Sequence, residues 1–379
     1  MDNDVPPNPP PVSPPAPPPI VTPPPLLMPP PATSRKRGGR GWMILALVLM
    51  AVVGFIVVGK VARAFSGAVK RTAHLDGRFL EETVMENNHS RNKIAVIDVQ
   101  GIIMDNVDEW TGASLVSYIK DQLHVAEEDG HVKAVVLRVD SPGGEVLAAD
   151  NIARELADFQ KESGKPVIVS MGSLAASGGY YIAAPCRWIV ANELTITGSI
   201  GVIMEGYNYR GLLNKVGIKP ETFKSGKFKD MLSGDREPSE ITEEERAMVQ
   251  SLIDETFEKF KSVVANGRKQ AAKDNEGKGR ELNSDWENYA DGRVISGKEA
   301  HKRGFVDELG NFDTAVHRAL ELSDVETANL VQYQLPVSFG RFFRLFGKTH
   351  APAIKIDLGV ELPKIAAGKM YFLSPIFLR

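Results

Sequence analysis

The chain's 379 residues, 25% charged and 43% hydrophobic, suffice for one sizeable core with appendages. A net charge of −3, with no basic run interleaved by aromatics, gives no footing for a nucleic-acid partner, and none is expected. A single cysteine, Cys186, excludes an intrachain disulfide and a cysteine-rich zinc site, and its surroundings read as those of a buried small hydrophobe.

Residues 1–34 hold most of the prolines, in "PPNPPPVSPPAPPPIVTPPPLLMPPP". Such a stretch cannot enter a helix or a sheet interior and favours polyproline II, as a spacer or as a docking strip for a proline-reading partner. An uncharged run follows from Trp42 to Gly59, long enough to cross a bilayer core. Arg35, Lys36, Arg37 and Arg40 precede it, and Lys60, Arg63, Lys70 and Arg71 follow. The bias favours a cytoplasmic N-terminus and an extracytoplasmic remainder. Ala62-Arg63-Ala64 also has the form of a small-residue cleavage site, so the run is either a retained anchor or a signal sequence removed after Ala64.

Beyond residue 90 the pattern is globular. "KIAVIDVQGII" from Lys93, "VKAVVLRVD" (132–140), "PVIVS" (166–170) and "WIVA" (188–191) read as buried strands. Residues 112–128 and the run from Glu145, with Ile152, Leu156 and Phe159 at helical spacing, read as helices. The alternation predicts an α/β layer fold with parallel pairing. A long helix is predicted from Thr242, with Thr242 and Glu245 as a capping box and Leu252, Phe257 and Phe260 toward the core. Residues 267–284 read as a polar loop.

Two glycine-rich turns carry the chemistry. "DSPGGEV" (140–146) lies between a strand and a helix, where two glycines expose backbone N–H groups beside a helix's positive end. It suits an oxyanion, though a plain tight turn has the same look; a phosphate cradle lacks its lysine-serine ending. In "MGSLAASGGYYIAA" (171–184) small residues surround Ser177 between a strand and a short helix, as a nucleophile elbow or a structural turn requires. Its base is not marked. None of the seven histidines (His74, His89, His124, His131, His301, His317 and His350) sits in such a turn. A lysine serves only if burial strips its charge, and "TFKSGKFKDMLSGDRE" offers Lys224, Lys227 and Lys229 without distinguishing them.

Taken in order, "DSPGG" (140–144), "MGSLAASGGYYIA" (171–183), "TGSIGVI" (197–203), "FKSGKFKD" (223–230) and "DGRVISGKEAHKRGFVDELG" (291–310) resemble the signal peptide peptidase A group of the S49 serine proteases. The resemblance spans roughly residues 90–320 and implies a crotonase/Clp-protease-like layered fold with a Ser–Lys dyad. It implies Ser177 as nucleophile, Lys229 as general base, Ser199 as the residue orienting the lysine, and Gly143 with Gly178 as the oxyanion hole. No cofactor or metal is implied. The chain is then expected to comprise a proline-rich cytoplasmic head (1–40), a transmembrane anchor (41–62), a juxtamembrane linker (63–90), a protease domain (91–325) and a C-terminal extension (326–379).

The same resemblance implies a short, single-copy form that assembles as a homo-oligomer, an octamer being the ring size considered, with serine and lysine supplied by neighbouring subunits. The expected activity is serine endopeptidase action on remnant signal peptides and similar apolar peptides at the cytoplasmic (inner) membrane. Action on intact membrane proteins and a catalytically idle membrane scaffold are the alternatives, and acyl-CoA chemistry is disfavoured by an extracytoplasmic site. The tail "HAPAIKIDLGVELPKIAAGKMYFLSPIFLR" is expected to pack simply or to lie over the groove of its own or a neighbouring subunit.

Overall fold

The computed structural model describes residues 49–50, 71–73, 79–107, 113–335 and 370–373. The expected proline-rich head, the cleavage site and nearly all of the expected anchor lie outside them. Among the described residues no helix is long and apolar enough to cross a membrane. The elements below all belong to the unit Phe65–Arg379.

Runs of β-branched residues form the strands. β1 (Arg71–Ala73) and β2 (Phe79–Glu86) enter first, then β3 (Lys93–Gln100), helix α1 (Leu115–Glu128) and β4 (Val132–Ser141). The short β5 (Gly143–Glu145) leads into α2 (Val146–Ser163), and β6 (Val167–Ala176) into α3 (Gly178–Ala183). β7 (Trp188–Ala191), β8 (Ile196–Gly198), α4 (Arg210–Lys215) and the long α5 (Glu243–Asp274) follow. β9 (Val294–Ser296), α6 (Gly297–Arg303), β10 (Glu308–Leu309), α7 (Phe312–Leu322), β11 (Asn329–Gln334) and β12 (Tyr371–Leu373) complete the described chain.

The main sheet runs β1-β2-β11-β3-β4-β6-β7-β10, with β8 on β6 and β9 on β8. Pairing is parallel from β11 through β3, β4, β6 and β7 to β10, and antiparallel where β1, β2 and β9 join. The expected α/β layering with parallel strands is thus observed. The sheet also reaches past the expected 91–325 range at both ends, through β2 and β11.

Both faces are covered, as parallel strands require. On one face Ala95, Ile97, Val99, Val135, Leu137 and Val139 pack with Ile119, Ile152, Leu156 and Phe260 from α1, α2 and α5. Their alternates Ile94, Val96, Ala134 and Val136 pack with Ala315 and Ala319 of α7. This two-residue alternation makes the strand register unambiguous, because a one-residue slip would exchange the two faces.

Two elements differ from expectation. The strand expected at 166–170 continues to Ala176, because after a shift between Val139 and Ser141 it stays paired with β4 and then takes β8 as its neighbour. The loop expected at 267–284 is helical as far as Asp274, since Arg268, Ala271 and Ala272 are buried and hold that turn against the sheet edge. On the same helix Phe260 is buried as expected, but Leu252 is exposed.

The capping box forms: the Thr242 hydroxyl accepts from the Glu245 amide (3.2 Å), and the Glu245 carboxylate accepts from the Thr242 amide (2.8 Å). Glu245 also binds Arg236 Nη1 at 2.6 Å, tying the segment between β8 and α5 to the helix start. The Arg236 guanidinium, helped by the Thr242 amide, pushes the buried Glu245 carboxyl down to about 2. A depressed folded value stabilises above the ordinary glutamate range and is lost as pH falls through the folded value. Residues 224–241 are therefore expected to detach from α5 as the pH drops from about 4.5 toward about 2. Pepsin nicking of that segment, normalised to an unfolded substrate, should rise across this window and reach its maximum at higher pH in Glu245→Gln. Nicking that tracks only pepsin's own activity would contradict the assignment.

Candidate active site

The site grows from the carboxyl end of β6. Ser177 follows directly, with φ 52° and ψ −116°, a backbone state that a non-glycine residue holds only when its surroundings impose it. Here they do: its amide donates to Gly198 O (2.8 Å), and its carbonyl accepts from the Tyr181 amide (2.8 Å) in the first turn of α3. The side chain thus stands at a strand-to-helix corner and is almost fully buried, at 1% exposure. Ser199, next to Gly198, is also buried with φ 52°, and its amide donates to Arg293 O at 2.7 Å.

The glycine turn after β4 closes against the same corner. Ser141 Oγ donates to Gly101 O (2.6 Å) and accepts from the Gly143 amide (3.1 Å), binding the turn to the end of β3. Gly143 has φ 101°, and a Cβ there would overlap the Phe372 carbonyl oxygen and lie 2.6 Å from Gly178 N. A Cβ on Gly178 would lie 3.0 Å from Gly144 N and 3.3 Å from the Phe372 oxygen. Only glycine fits at 143, and a side chain at 178 would press on the neighbouring backbone. The backbone of the Gly143–Gly144 turn, the start of α3 at Gly178 and the Phe372 carbonyl thus approach one another closely.

That carbonyl belongs to β12. Phe372 pairs with Gly144 in an antiparallel ladder, and Val146 N donates to Met370 O at 3.3 Å. On the other edge Tyr371 and Ile203 exchange both backbone bonds at 3.1 Å. A described piece of the tail lies extended in a slot with backbone partners on each side, which is the geometry of strand addition.

Ser177, Ser199, Gly143 and Gly178 thus come together within the chain, and Lys229 does not join them. It is exposed, in the segment between β8 and α5, and no hydrogen bond joins it to Ser177. The three candidate lysines nonetheless differ. Lys224 Nζ pairs with Asp230 at 2.8 Å and Lys227 Nζ with Glu244 at 2.6 Å. Among the described residues no such carboxylate partner holds Lys229. No described histidine hydrogen-bonds Ser177; His301, for example, accepts from Arg280 Nε at 2.9 Å.

The Gly143 amide is taken by Ser141 Oγ, and Gly144 pairs with Phe372. Cys186 is free and buried, and burial pushes its thiol up to about 12, so it stays an inert thiol at neutral pH. Among the described residues no group of three or more His, Cys, Asp or Glu side chains could hold a metal ion.

A serine on a strained strand-to-helix corner, beside a glycine turn, has the form of a serine hydrolase's nucleophile elbow. Residues 159–326 match the sequence profile of peptidase family S49. A protein of Enterococcus faecium named signal peptide peptidase SppA is 34% identical over 296 residues, covering 76% of this chain and 81% of its own. Protease 4 of Haemophilus influenzae is 35% identical over 250 residues, 65% of this chain and 38% of the relative. A solved membrane-bound stomatin-specific protease aligns over 61% of this chain and 85% of its own, with TM-score 0.37 and 17% identity. The chain belongs to peptidase family S49 and is a protease of the SppA type.

Proposed function

We propose that this chain is a membrane-anchored serine endopeptidase in which Ser177 attacks a peptide carbonyl and Lys229 removes the hydroxyl proton. The amides of Gly144 and Gly178 then receive the oxyanion, the amine leaves with a proton from Lys229, and the same lysine activates the water that hydrolyses the acyl-serine. The reading rests chiefly on one observation: Ser177 stands almost fully buried on a strained strand-to-helix corner, against the Gly143–Gly144 turn. Ser199, buried next to the residue that holds the Ser177 amide, orients the incoming lysine.

A buried serine and an exposed lysine in one chain favour a homo-oligomer in which Lys229 serves the Ser177 of a neighbouring copy. Enclosure there would remove the water that keeps an ammonium charged. The substrates are remnant signal peptides and comparable apolar peptides, taken as an added strand on the extracytoplasmic side of the membrane. Mixing Ser177→Ala with Lys229→Ala chains, each inactive alone, should restore peptide turnover once subunits exchange. Silence after verified exchange would place both groups within one chain and overturn the shared site.

A further inference from the structure

We infer that Asp140 is a positioning residue: its carboxylate pins an insertion in β6, and that insertion brings Ser177 level with Gly143. The inference rests on the peptidase reading above for what this alignment serves, and on the pairing of β4 with β6 for the alignment itself.

β4 and β6 run in register as far as Val139 opposite Met171, and the next pair is Ser141 opposite Ala175. Asp140 alone on β4 therefore faces Gly172, Ser173 and Leu174 on β6, an insertion of two residues. An even insertion preserves the alternation of faces, so Met171 and Ala175 both stay in the core. What it changes is the level of the two strand ends. Counting two residues on from Ser141 and Ala175 gives Gly143 and Ser177, side by side. An uninterrupted ladder would set Gly143 opposite Ala175 and carry Ser177 two residues further, about 6–7 Å along the strand. A bulge beside an active site re-aims a side chain in this way.

An insertion leaves backbone groups without ladder partners, and here side chains take them. The Leu174 amide donates to Asp140 Oδ1 at 3.0 Å, and Gly172 O accepts from Thr195 Oγ1 at 2.8 Å. Gly172 lies against the carboxylate, since a Cβ there would come within 2.9 Å of Asp140 Cγ. The pin stands on a firm base. Asp140 O accepts from the Gly101 amide at 3.0 Å, and Arg138, two residues earlier, donates to Asp98 through Nε and Nη2 at 2.5 and 2.7 Å. Past the insertion the strand is paired again, Leu174–Ala176 with Ile196–Gly198, and the Ser177 amide reaches Gly198 O.

Asp140 is exposed on a cavity of about 570 Å³ that Ser170, Asn192 and Phe312 also line. Solvent can therefore take the Leu174 amide when the carboxylate is removed. The loss then falls on the position of the strand end more than on stability, and a misplacement near 1 Å at a reacting group costs about a hundredfold in rate.

The test uses full-length Asp140→Ala, Asp140→Asn and Gly172→Ala, a labelled apolar peptide, thermal melts, and deuterium exchange of the amides at 172–176. Asp140→Ala is expected to lower kcat about a hundredfold with KM within about threefold, a melt within a few degrees of wild type, and exchange at least about tenfold faster. Asp140→Asn keeps an acceptor oxygen in place and should retain kcat within about threefold. Gly172→Ala displaces the carboxylate without removing it and should lower kcat at least about tenfold, so it carries the test if Asp140→Ala does not melt cooperatively. Unchanged kcat per folded molecule in Asp140→Ala and Gly172→Ala, beside normal wild-type cleavage, overturns the positioning role and leaves the peptidase reading intact. A loss in Asp140→Asn as large as in Asp140→Ala, or exchange unchanged in Asp140→Ala, overturns the pin. A wild type that cleaves no peptide while Asp140→Ala still exchanges faster overturns the peptidase reading and leaves the pinned insertion.

Discussion

Replacing Ser177 by alanine is expected to lower peptide turnover by at least about four orders of magnitude, the scale seen when a covalent nucleophile is removed. The fold should survive, because what holds the corner is backbone: the amide to Gly198 O and the carbonyl to the Tyr181 amide, neither of which needs the hydroxyl. Lys229→Ala should cause a comparable loss with no change in melting temperature, since the exposed lysine supports no ion pair within the described chain. Lys224→Ala and Lys227→Ala remove the pairs with Asp230 and Glu244 and should keep most of the turnover. The check is steady-state cleavage of an apolar peptide beside a thermal melt of each variant. Loss of turnover in Lys224→Ala equal to that in Lys229→Ala, with the fold intact, would reassign the base.

The largest effect on stability is expected at Asp307. Arg268 and Asp307 pair at 1% and 0% side-chain exposure. Asp307 also accepts from the amides of Ile189 (2.8 Å) and Arg280 (3.0 Å), while Arg268 Nη1 donates to Cys186 O (3.2 Å). The pair fastens the end of α5 to the strand edge at β7 and the approach to β10. Asp307→Ala strands a buried guanidinium and two amides, and should destabilise the domain by about 3–5 kcal/mol. For a domain of this size that corresponds to a drop in Tm on the order of 10 °C. Arg268→Met should cost less, because the Asp307 carboxylate keeps both amide donors. Chemical denaturation of the two variants measures the difference, and a loss below about 1 kcal/mol in Asp307→Ala would show that water reaches the pair.

The same pair explains what the sequence obscured. A glycine, two lysines and several polar residues after 266 have the composition of a loop, yet Arg268 is buried because its partner sits some forty positions away. Long-range pairing of this kind leaves no local period. The strands were legible for the opposite reason: Ile94–Val99 and Val132–Val139 are β-branched on both faces, and only a doubly covered strand needs that. Ser177 was legible through the small residues that its turn requires, and the paired glycines of 143–144 through theirs.

The tail was least legible. Tyr371–Leu373 is three residues long, its partners lie far back in the chain at Gly143–Glu145 and Ile203, and nothing in "KMYFLS" marks a strand that fits a groove. Lys229 stood out from its neighbours in the sequence only by resemblance. In the structure the distinction is physical, since carboxylates hold the other two lysines.

The pairing of Ser177 with Lys229 is tested most directly by labelling the assembled protein with a serine-directed phosphonate and mapping the modified residue. Modification at Ser177 in the wild type and in Lys224→Ala and Lys227→Ala, with none in Lys229→Ala, is the expected result. Labelling of another serine, or undiminished labelling of Ser177 without Lys229, would contradict it.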